Sequence, residues 1–179
     1  MRPALTITAS AALSAAALTA QAPAAPANQL ERTQTAFDLT VNLPYAKAAP
    51  LFGPEGERVW AGKHWNPQFV YPQPAHDVQG AVFTIQNGPL SATWVNTLFD
   101  LDARHFIYVY FIPETLVTTI DVRFTPSNPG TTLVHVIYTR TALTPEGNEH
   151  VTTLTARDKT AAHDWQRSID AYIASGAKQ

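Results

Sequence analysis

The stretch that decides the fold is YTRTALTPEGN, residues 138–148, where a series of alternating segments gives way to one long amphipathic segment. Thr144 can cap a helix, Pro145 suits the first helical position, and Glu146 favours the positive end of the helix dipole. Gly176 is a suitable terminator thirty residues on. The stretch therefore predicts the end of a strand and the start of a closing helix.

The predicted closing helix carries one apolar stripe. Apolar residues recur in it at spacings near seven, four and three, which is typical of a helix that buries one face. These residues are Leu154, Ala161, Trp165, Ile169 and Tyr172, and Asp158 interrupts them. The apolar face needs another layer of structure to cover it.

Consecutive strands lie upstream of the junction. Five strand-like segments are separated by turn-like connections, at 81–86, 92–101, 105–112, 116–125 and 131–143, and apolar and polar residues alternate in the fourth. Short connections between consecutive strands indicate antiparallel neighbours. Residues 69–71 add a brief edge strand before a proline-rich loop.

One strand and two short helices come first. Alternation over residues 33–43 predicts a strand that Pro44 ends, followed by a short helix that Pro50 interrupts and a second one over about 54–61. We therefore predict an α+β fold, in which a curved antiparallel sheet of six to seven strands surrounds a long C-terminal helix. This element order tends to leave a cavity between the sheet and the helix.

Two stretches resemble a known family. Residues 52–60 (FGPEGERVW), continuing to HWNP at 64–67, are similar to a segment S-P-E-G-E-R-x-W…G-W-[DN]-P, and residues 138–148 resemble the strand-to-helix junction of the same proteins. The family is the SRPBCC superfamily of START-like, helix-grip proteins, which includes small bacterial members and polyketide cyclase/dehydratase-like proteins. The resemblance implies one such domain over residues 33–175. Lys63 and His64 depart from it, because a simple glycine often precedes the tryptophan.

Composition excludes several classes of protein. The net charge is −2 without a Lys/Arg cluster, so nucleic-acid binding is not predicted. The chain has no cysteine, and its six histidines show no metal-ligand spacing. No phosphate or dinucleotide loop is present. We therefore predict no metal site and no cofactor.

Residues 1–27 have the composition of a bacterial signal peptide. Arg2 is their only charge, a run of Ala, Thr, Leu and Ser follows, and small residues flank Pro26, with a second possible cleavage after Ala20. The run lacks the strong hydrophobes of a permanent membrane span. We predict a periplasmic or secreted protein. The alternative is a low-complexity tail or a mis-set start, which would leave the protein in the cytoplasm.

Aromatic residues are the first candidates for ligand contacts. Phe106, Tyr108 and Tyr110 share one face of their strand, and that face either lines the cavity or makes cross-strand pairs. Trp94 shares a face with Asn96 and Leu98, and the pattern does not say which face of that strand is inside. The set of candidate ligand-binding residues is Trp60, Trp65, Trp94, Tyr108, Tyr110, His135 and Trp165.

Two candidates have competing structural explanations. Trp60 and Trp65, in the segment of residues 54–67, either line the cavity mouth, with Glu57 and Arg58 as a gate, or anchor the second short helix to the sheet while Arg58 pairs with Glu55. His135 lies mid-strand in an apolar run and is either a general acid/base or a structural histidine with one hydrogen bond.

Three functions follow from these expectations. The leading one is non-enzymatic binding of a small hydrophobic or amphipathic ligand. The second is a cyclase/dehydratase-like enzyme, in which His135 or a cavity tyrosine acts as acid or base and at least two titratable groups converge. The third is an interaction module similar to the relatives that stimulate chaperone ATPases. No catalytic residue is assigned.

Overall fold

The computed structural model describes residues 29–176, and the predicted signal peptide lies outside them. The elements in chain order are β1 (Arg32–Val41), α1 (Tyr45–Ala48), the 3-10 helices η1 (Ala49–Phe52) and η2 (Gly56–Val59), β2 (Gln68–Tyr71), β3 (Val82–Asn87), β4 (Leu90–Asp100), β5 (His105–Ile112), β6 (Leu116–Asn128), β7 (Thr131–Ala142) and α2 (Gly147–Ala174). They agree with the predicted order.

The strands form one seven-stranded antiparallel sheet in the order β1-β7-β6-β5-β4-β3-β2. Successive strands from β2 to β7 are neighbours because short turns connect β3 through β7, whereas β1 crosses to the far edge and pairs with β7. The predicted α+β helix-grip architecture is confirmed. Among residues 29–176 no helix is long and apolar enough to cross a membrane.

The closing helix begins two residues later than predicted, at Gly147. Residues 144–146 form a turn instead, in which the Thr144 hydroxyl accepts the amide hydrogen of Gly147 (3.2 Å). A Cβ on Gly147 would lie 2.0 Å from the carbonyl oxygen of Thr115, so glycine permits the close approach to β6. Gly176 has φ 59° just beyond the helix, as its predicted role as terminator requires.

Helix α2 covers the inner face of the sheet and packs chiefly on β1. Val151 and Ile169 on α2 are fully buried, and Trp165 lies between them against the core. Inner-face side chains of β5, β6 and β7 complete the core, because alternate residues of those strands are buried. Part of the inner face stands away from the helix, and the space between the two forms a cavity.

A bulge in β4 decides which of its residues face inward. The pairing with β5 shifts register between Asn96 and Leu98. Trp94 and Asn96 face inward, but beyond the bulge the inward position passes to Phe99, whose ring stacks on Phe106 at 4.1 Å. Simple alternation had grouped Leu98 with Trp94, and this grouping is wrong because the extra residue reverses the order of the two faces.

Candidate ligand cavity

A cavity of about 670 Å³ lies between the sheet, α2 and the η2 segment. An inner recess of about 50 Å³ adjoins it. The two spaces share six lining residues, which are Glu57, Trp65, Trp94, Ile120, Tyr138 and Trp165. Exposed His64 and Arg157 also line the larger space, so its mouth lies between the loop after η2 and helix α2.

The chain contains four tryptophans, and all four line the cavity. Trp165 projects from α2 and meets Trp60 and Phe37 edge to face, with ring centroids 5.2 and 5.3 Å apart. Trp94 stacks on Tyr110 at 4.3 Å and meets Trp65 edge to face at 5.3 Å. Aromatic pairs of this geometry add to the stability gained from burial, so the walls are held in place by their own contacts.

Trp60 and Trp65 both line the cavity and anchor its wall. The indole N–H of Trp60 donates to the carbonyl oxygen of Leu51 (2.6 Å), and that of Trp65 donates to the carbonyl oxygen of Pro54 (2.9 Å). Arg58 pairs with Glu55 at 2.7 Å on the outside of the same segment. The two explanations offered for these tryptophans are therefore compatible, whereas Arg58 lies outside the cavity lining.

The tyrosine-bearing face of β5 is the inner face. Tyr108 and Tyr110 are both buried. The Tyr108 hydroxyl donates to the carbonyl oxygen of Phe52 (2.6 Å), and burial raises its pKa well above the usual value. The Tyr110 hydroxyl makes no hydrogen bond within residues 29–176, and the residue lines the cavity. Tyr108 thus fixes the η1 segment, while Tyr110 keeps a free hydroxyl.

His135 does not face the cavity. Its ring Nδ1 lies 2.7 Å from an Asp38 carboxylate oxygen on neighbouring β1, and its side chain is 41% exposed. Tyr138 and Arg140 of the same strand line the cavity, and His135 lies an odd number of residues from Arg140 on the opposite face. The structure therefore favours the structural explanation of this residue over a general acid/base in the cavity.

Glu57 is a cavity residue that the sequence pattern did not separate from its neighbours. It lines both spaces, and its carboxyl makes no hydrogen bond within the described chain. Burial, reinforced by the nearby Asp77 carboxylate, raises its pKa well above 4.5. The only sequence signal is its place on the η2 helix, one residue before Arg58.

Asp77 holds the helix that carries Glu57. One of its carboxylate oxygens accepts the amide hydrogen of Glu55 (2.9 Å) and the other that of Gly56 (3.3 Å). These are amide groups at the start of η2 that have no partner within the helix. The loop between β2 and β3 thus fixes the direction in which Glu57 points.

A buried ion pair crosses the space between the sheet and α2. Both terminal nitrogens of Arg140 donate to the carboxylate of Asp158, the second at 2.9 Å, and the two side chains are only 4% and 8% exposed. The Thr35 hydroxyl donates to the same carboxylate (2.5 Å). Burial opposes ionisation of Arg140, but Asp158 outweighs it, so the pKa of Arg140 is raised. Asp158 stands within the apolar stripe of α2 because it is the partner of the buried Arg140.

Replacing Glu57 with glutamine is expected to stabilise the protein increasingly as pH rises. Because the folded-state pKa of Glu57 is raised, the folded chain keeps a proton that the unfolded chain loses above about 4.5. The free energy of unfolding of the wild-type protein therefore falls as pH rises from about 4.5 to the folded-state pKa of Glu57. The Glu57→Gln variant does not show this fall. Urea unfolding of both proteins from pH 4 to about pH 8 measures the difference.

The control for this prediction is Glu55→Gln, which changes an exposed carboxyl on the same segment. The carboxyl of Asp77 and the hydroxyls of Tyr108 and Tyr138, which influence or are influenced by Glu57, are present in every variant. A constant difference in unfolding free energy between wild type and Glu57→Gln across the pH range would contradict the raised pKa.

Within residues 29–176 no three His, Asp or Glu side chains come together in a way that could hold a metal ion. The polar groups of the lining are instead dispersed among apolar ones. They are suited to hydrogen bonding and charge pairing with an organic molecule.

Comparisons with solved structures agree with this architecture. Norcoclaurine synthase from Thalictrum flavum, solved in complex with dopamine and hydroxybenzaldehyde, matches with a TM-score of 0.59 at 12% identity, over 84% of this chain and 91% of that one. CalU16 from Micromonospora echinospora matches with a TM-score of 0.51 at 10% identity, over 79% and 82%. No family model matches the sequence, and a search of curated proteins finds no match.

The di-domain ARO/CYC protein BexL of the BE-7585A biosynthetic pathway also matches. Its TM-score is 0.58 at 14% identity, over 77% of this chain and 46% of that one, so this chain spans about half of BexL. The chain has the helix-grip fold that the sequence resemblance implied. At these identities the likeness establishes the fold, and the function has to be argued from the cavity.

Proposed function

We propose that the protein binds a small amphipathic ligand in the cavity beneath α2. The observation that carries the proposal is the open space of about 670 Å³, walled by all four tryptophans and by more apolar than polar side chains. Pockets for small organic ligands have this size and this mostly apolar lining. Had side chains filled the space under the helix, a binding role would have lacked a site.

The structural neighbours support the proposal. The synthase was solved with two small aromatic molecules, and BexL is described as an ARO/CYC protein. A cyclase/dehydratase-like reaction in this cavity would need an acid and a base in contact. Glu57, Tyr110 and Tyr138 line the cavity without a hydrogen bond to one another. Binding is therefore the better-supported function.

Intrinsic tryptophan fluorescence tests the proposal directly. We expect saturable changes in emission on titration with arylalkyl compounds, because every tryptophan borders the site. Replacing cavity-lining Ala92 with phenylalanine fills the space and should weaken binding about tenfold. The neighbouring Thr93→Phe points away from the cavity and is the matched control. Binding that Ala92→Phe leaves unchanged would place the ligand elsewhere.

We also propose that residues 1–27 direct export. Support comes from their composition, with one charge, a run of small and apolar residues, and small residues around Pro26. Mapping the N-terminus of protein recovered from the cell envelope tests this. Cleavage after Ala20 or Ala27 supports export, and protein that keeps Met1 in the cytosol overturns it. Native mass spectrometry of the same sample would detect a retained ligand.

A further inference from the structure

Some polar groups near the cavity are already satisfied, and others are not. Tyr108, Trp60 and Trp65 donate to backbone carbonyl oxygens. In contrast, the Glu57 carboxyl, the hydroxyls of Tyr110 and Tyr138, the indole N–H of Trp94 and the Nε of Arg140 have no hydrogen-bond partner among the described residues. Polar groups that have no partner in the protein and border an open space are available to bind a ligand.

The ionised form of Glu57 has no counter-charge in the lining. Arg140 is neutralised by Asp158, and Asp164 at the mouth is paired with Arg167 at 3.1 Å and lies near His163 at 3.5 Å. The remaining basic residues of the lining, His64 and Arg157, are exposed at the mouth. Glu57 therefore has no cationic partner within residues 29–176.

The electrostatic neighbours of Glu57 supply no positive charge either. Asp77 lies behind it and is fixed by two backbone amides of η2. Tyr108 and Tyr138 also interact with Glu57, and both are neutral at ordinary pH. An acidic group with a second carboxylate behind it and no cation nearby favours positive charge in the adjoining space.

The aromatic walls favour the same kind of ligand. Trp65 and Trp94 share both spaces with Glu57, as do Trp165 and Tyr138. The faces of tryptophan and tyrosine rings attract ammonium groups, more strongly when water is excluded. The Glu57 carboxylate can serve as the counter-ion of an ammonium group, and the aromatic rings around it can make cation–π contacts with the same group.

We propose that the ligand is a protonated organic amine, whose ammonium group pairs with the Glu57 carboxylate while its apolar body lies among the tryptophan rings. This inference rests on the proposed binding function and names the chemical class of the ligand. A carboxylate ligand would find no unpaired cationic side chain inside the cavity. It would also be repelled by the carboxylates of Glu57 and Asp77. An uncharged ligand would gain hydrogen bonds from the tyrosines but would make no use of the Glu57 carboxyl as a counter-ion.

Amine binding moves a proton in a defined direction. In the free protein burial keeps Glu57 protonated to a pH well above its ordinary pKa. An arriving ammonium favours the carboxylate, so the proton leaves to the buffer as the ion pair forms. Amine affinity should therefore rise with pH up to the pKa of Glu57 in the free protein and then level off, until the amine itself loses its proton.

The test compares three probes of one shape, phenylbutylamine, phenylbutanol and phenylbutyrate, by isothermal titration calorimetry with wild type, Glu57→Gln and Glu55→Gln. We expect wild type to bind the amine most tightly and Glu57→Gln to weaken amine binding by roughly thirtyfold or more, the low end for breaking a buried charge pair. Alcohol binding should be similar in all three proteins, which also shows that the variant cavity is intact. Glu55→Gln should behave as wild type.

Proton release provides a second readout. Calorimetry in buffers of different ionisation enthalpy should show a proton released on amine binding to wild type at a pH below the pKa of Glu57, and none with Glu57→Gln or with the alcohol. If wild type binds the alcohol or the carboxylate as tightly as the amine, the amine inference is overturned while the binding function stands. If none of the probes or of a wider arylalkyl panel binds, the binding function fails and the inference fails with it.

Discussion

Replacing Asp158 with asparagine is expected to lower the free energy of unfolding by about 3–5 kcal/mol. Arg140 is 4% exposed and both of its terminal nitrogens donate to Asp158. The asparagine side chain is neutral and has one acceptor oxygen, so a buried guanidinium would lose its counter-charge. Thr35 would also lose its carboxylate acceptor. Urea unfolding near neutral pH measures the loss.

A matched control lies on the same helix. Asp164→Asn removes a carboxylate whose pair with Arg167 is exposed, and it should change stability by less than about 1 kcal/mol. The double variant Arg140→Met with Asp158→Leu should recover much of the loss, because apolar side chains of similar volume replace both charges. A loss below about 1 kcal/mol in Asp158→Asn would show that Arg140 finds another partner or water.

Replacing Gly56 with alanine should destabilise the protein by at least about 3 kcal/mol, the upper end of the usual cost of overpacking. A Cβ there would lie 1.7 Å from the carbonyl oxygen of Pro50 and 3.1 Å from the Cα of Leu51. Backbone atoms cannot swing aside as a flexible side chain can, so η1 and η2 would have to separate. Thermal and urea unfolding of the variant measure the effect.

Gly130→Ala is the control for this substitution. Gly130 lies in the turn between β6 and β7, where the nearest atom to a new Cβ is the Asn128 side-chain oxygen at 3.8 Å. That variant should stay within about 0.5 kcal/mol of wild type. Equal stability of the two variants would mean that η1 and η2 tolerate separation. Because Glu57 follows Gly56 directly, we also expect Gly56→Ala to weaken ligand binding.

Much of the fold could be predicted because local signals agreed with it. The alternation in β1 and β6, Pro44 after β1, and the glycine after α2 each act within a few residues. The bulge after Asn96 could not be predicted, because an extra residue in one strand is decided by its partner strand. The two-residue delay in α2 has a similar origin, because contact with Thr115 fixes where the helix begins.

The cavity could be predicted only in its aromatic part. Trp60, Trp65, Trp94 and Trp165 stand out as large apolar residues on predicted elements, and all line the cavity. The polar part depends on distance in three dimensions. Arg140 and Asp158 are eighteen residues apart, and Glu57 acquires its character from Asp77 and from burial. A sequence pattern gives the spacing of residues along one element. It does not show which residues of different elements come into contact.

The crossing of β1 to the far edge of the sheet has a consequence for folding. The first strand of the domain pairs only with β7, the last strand, and packs on α2, the last helix. The hydrogen bonds of Glu31 and Gln29 with Asn148 tie the same two ends together. A chain still emerging from the ribosome therefore lacks both partners of β1. The domain closes only after synthesis has passed α2, so contacts between distant parts of the sequence set the pace of folding.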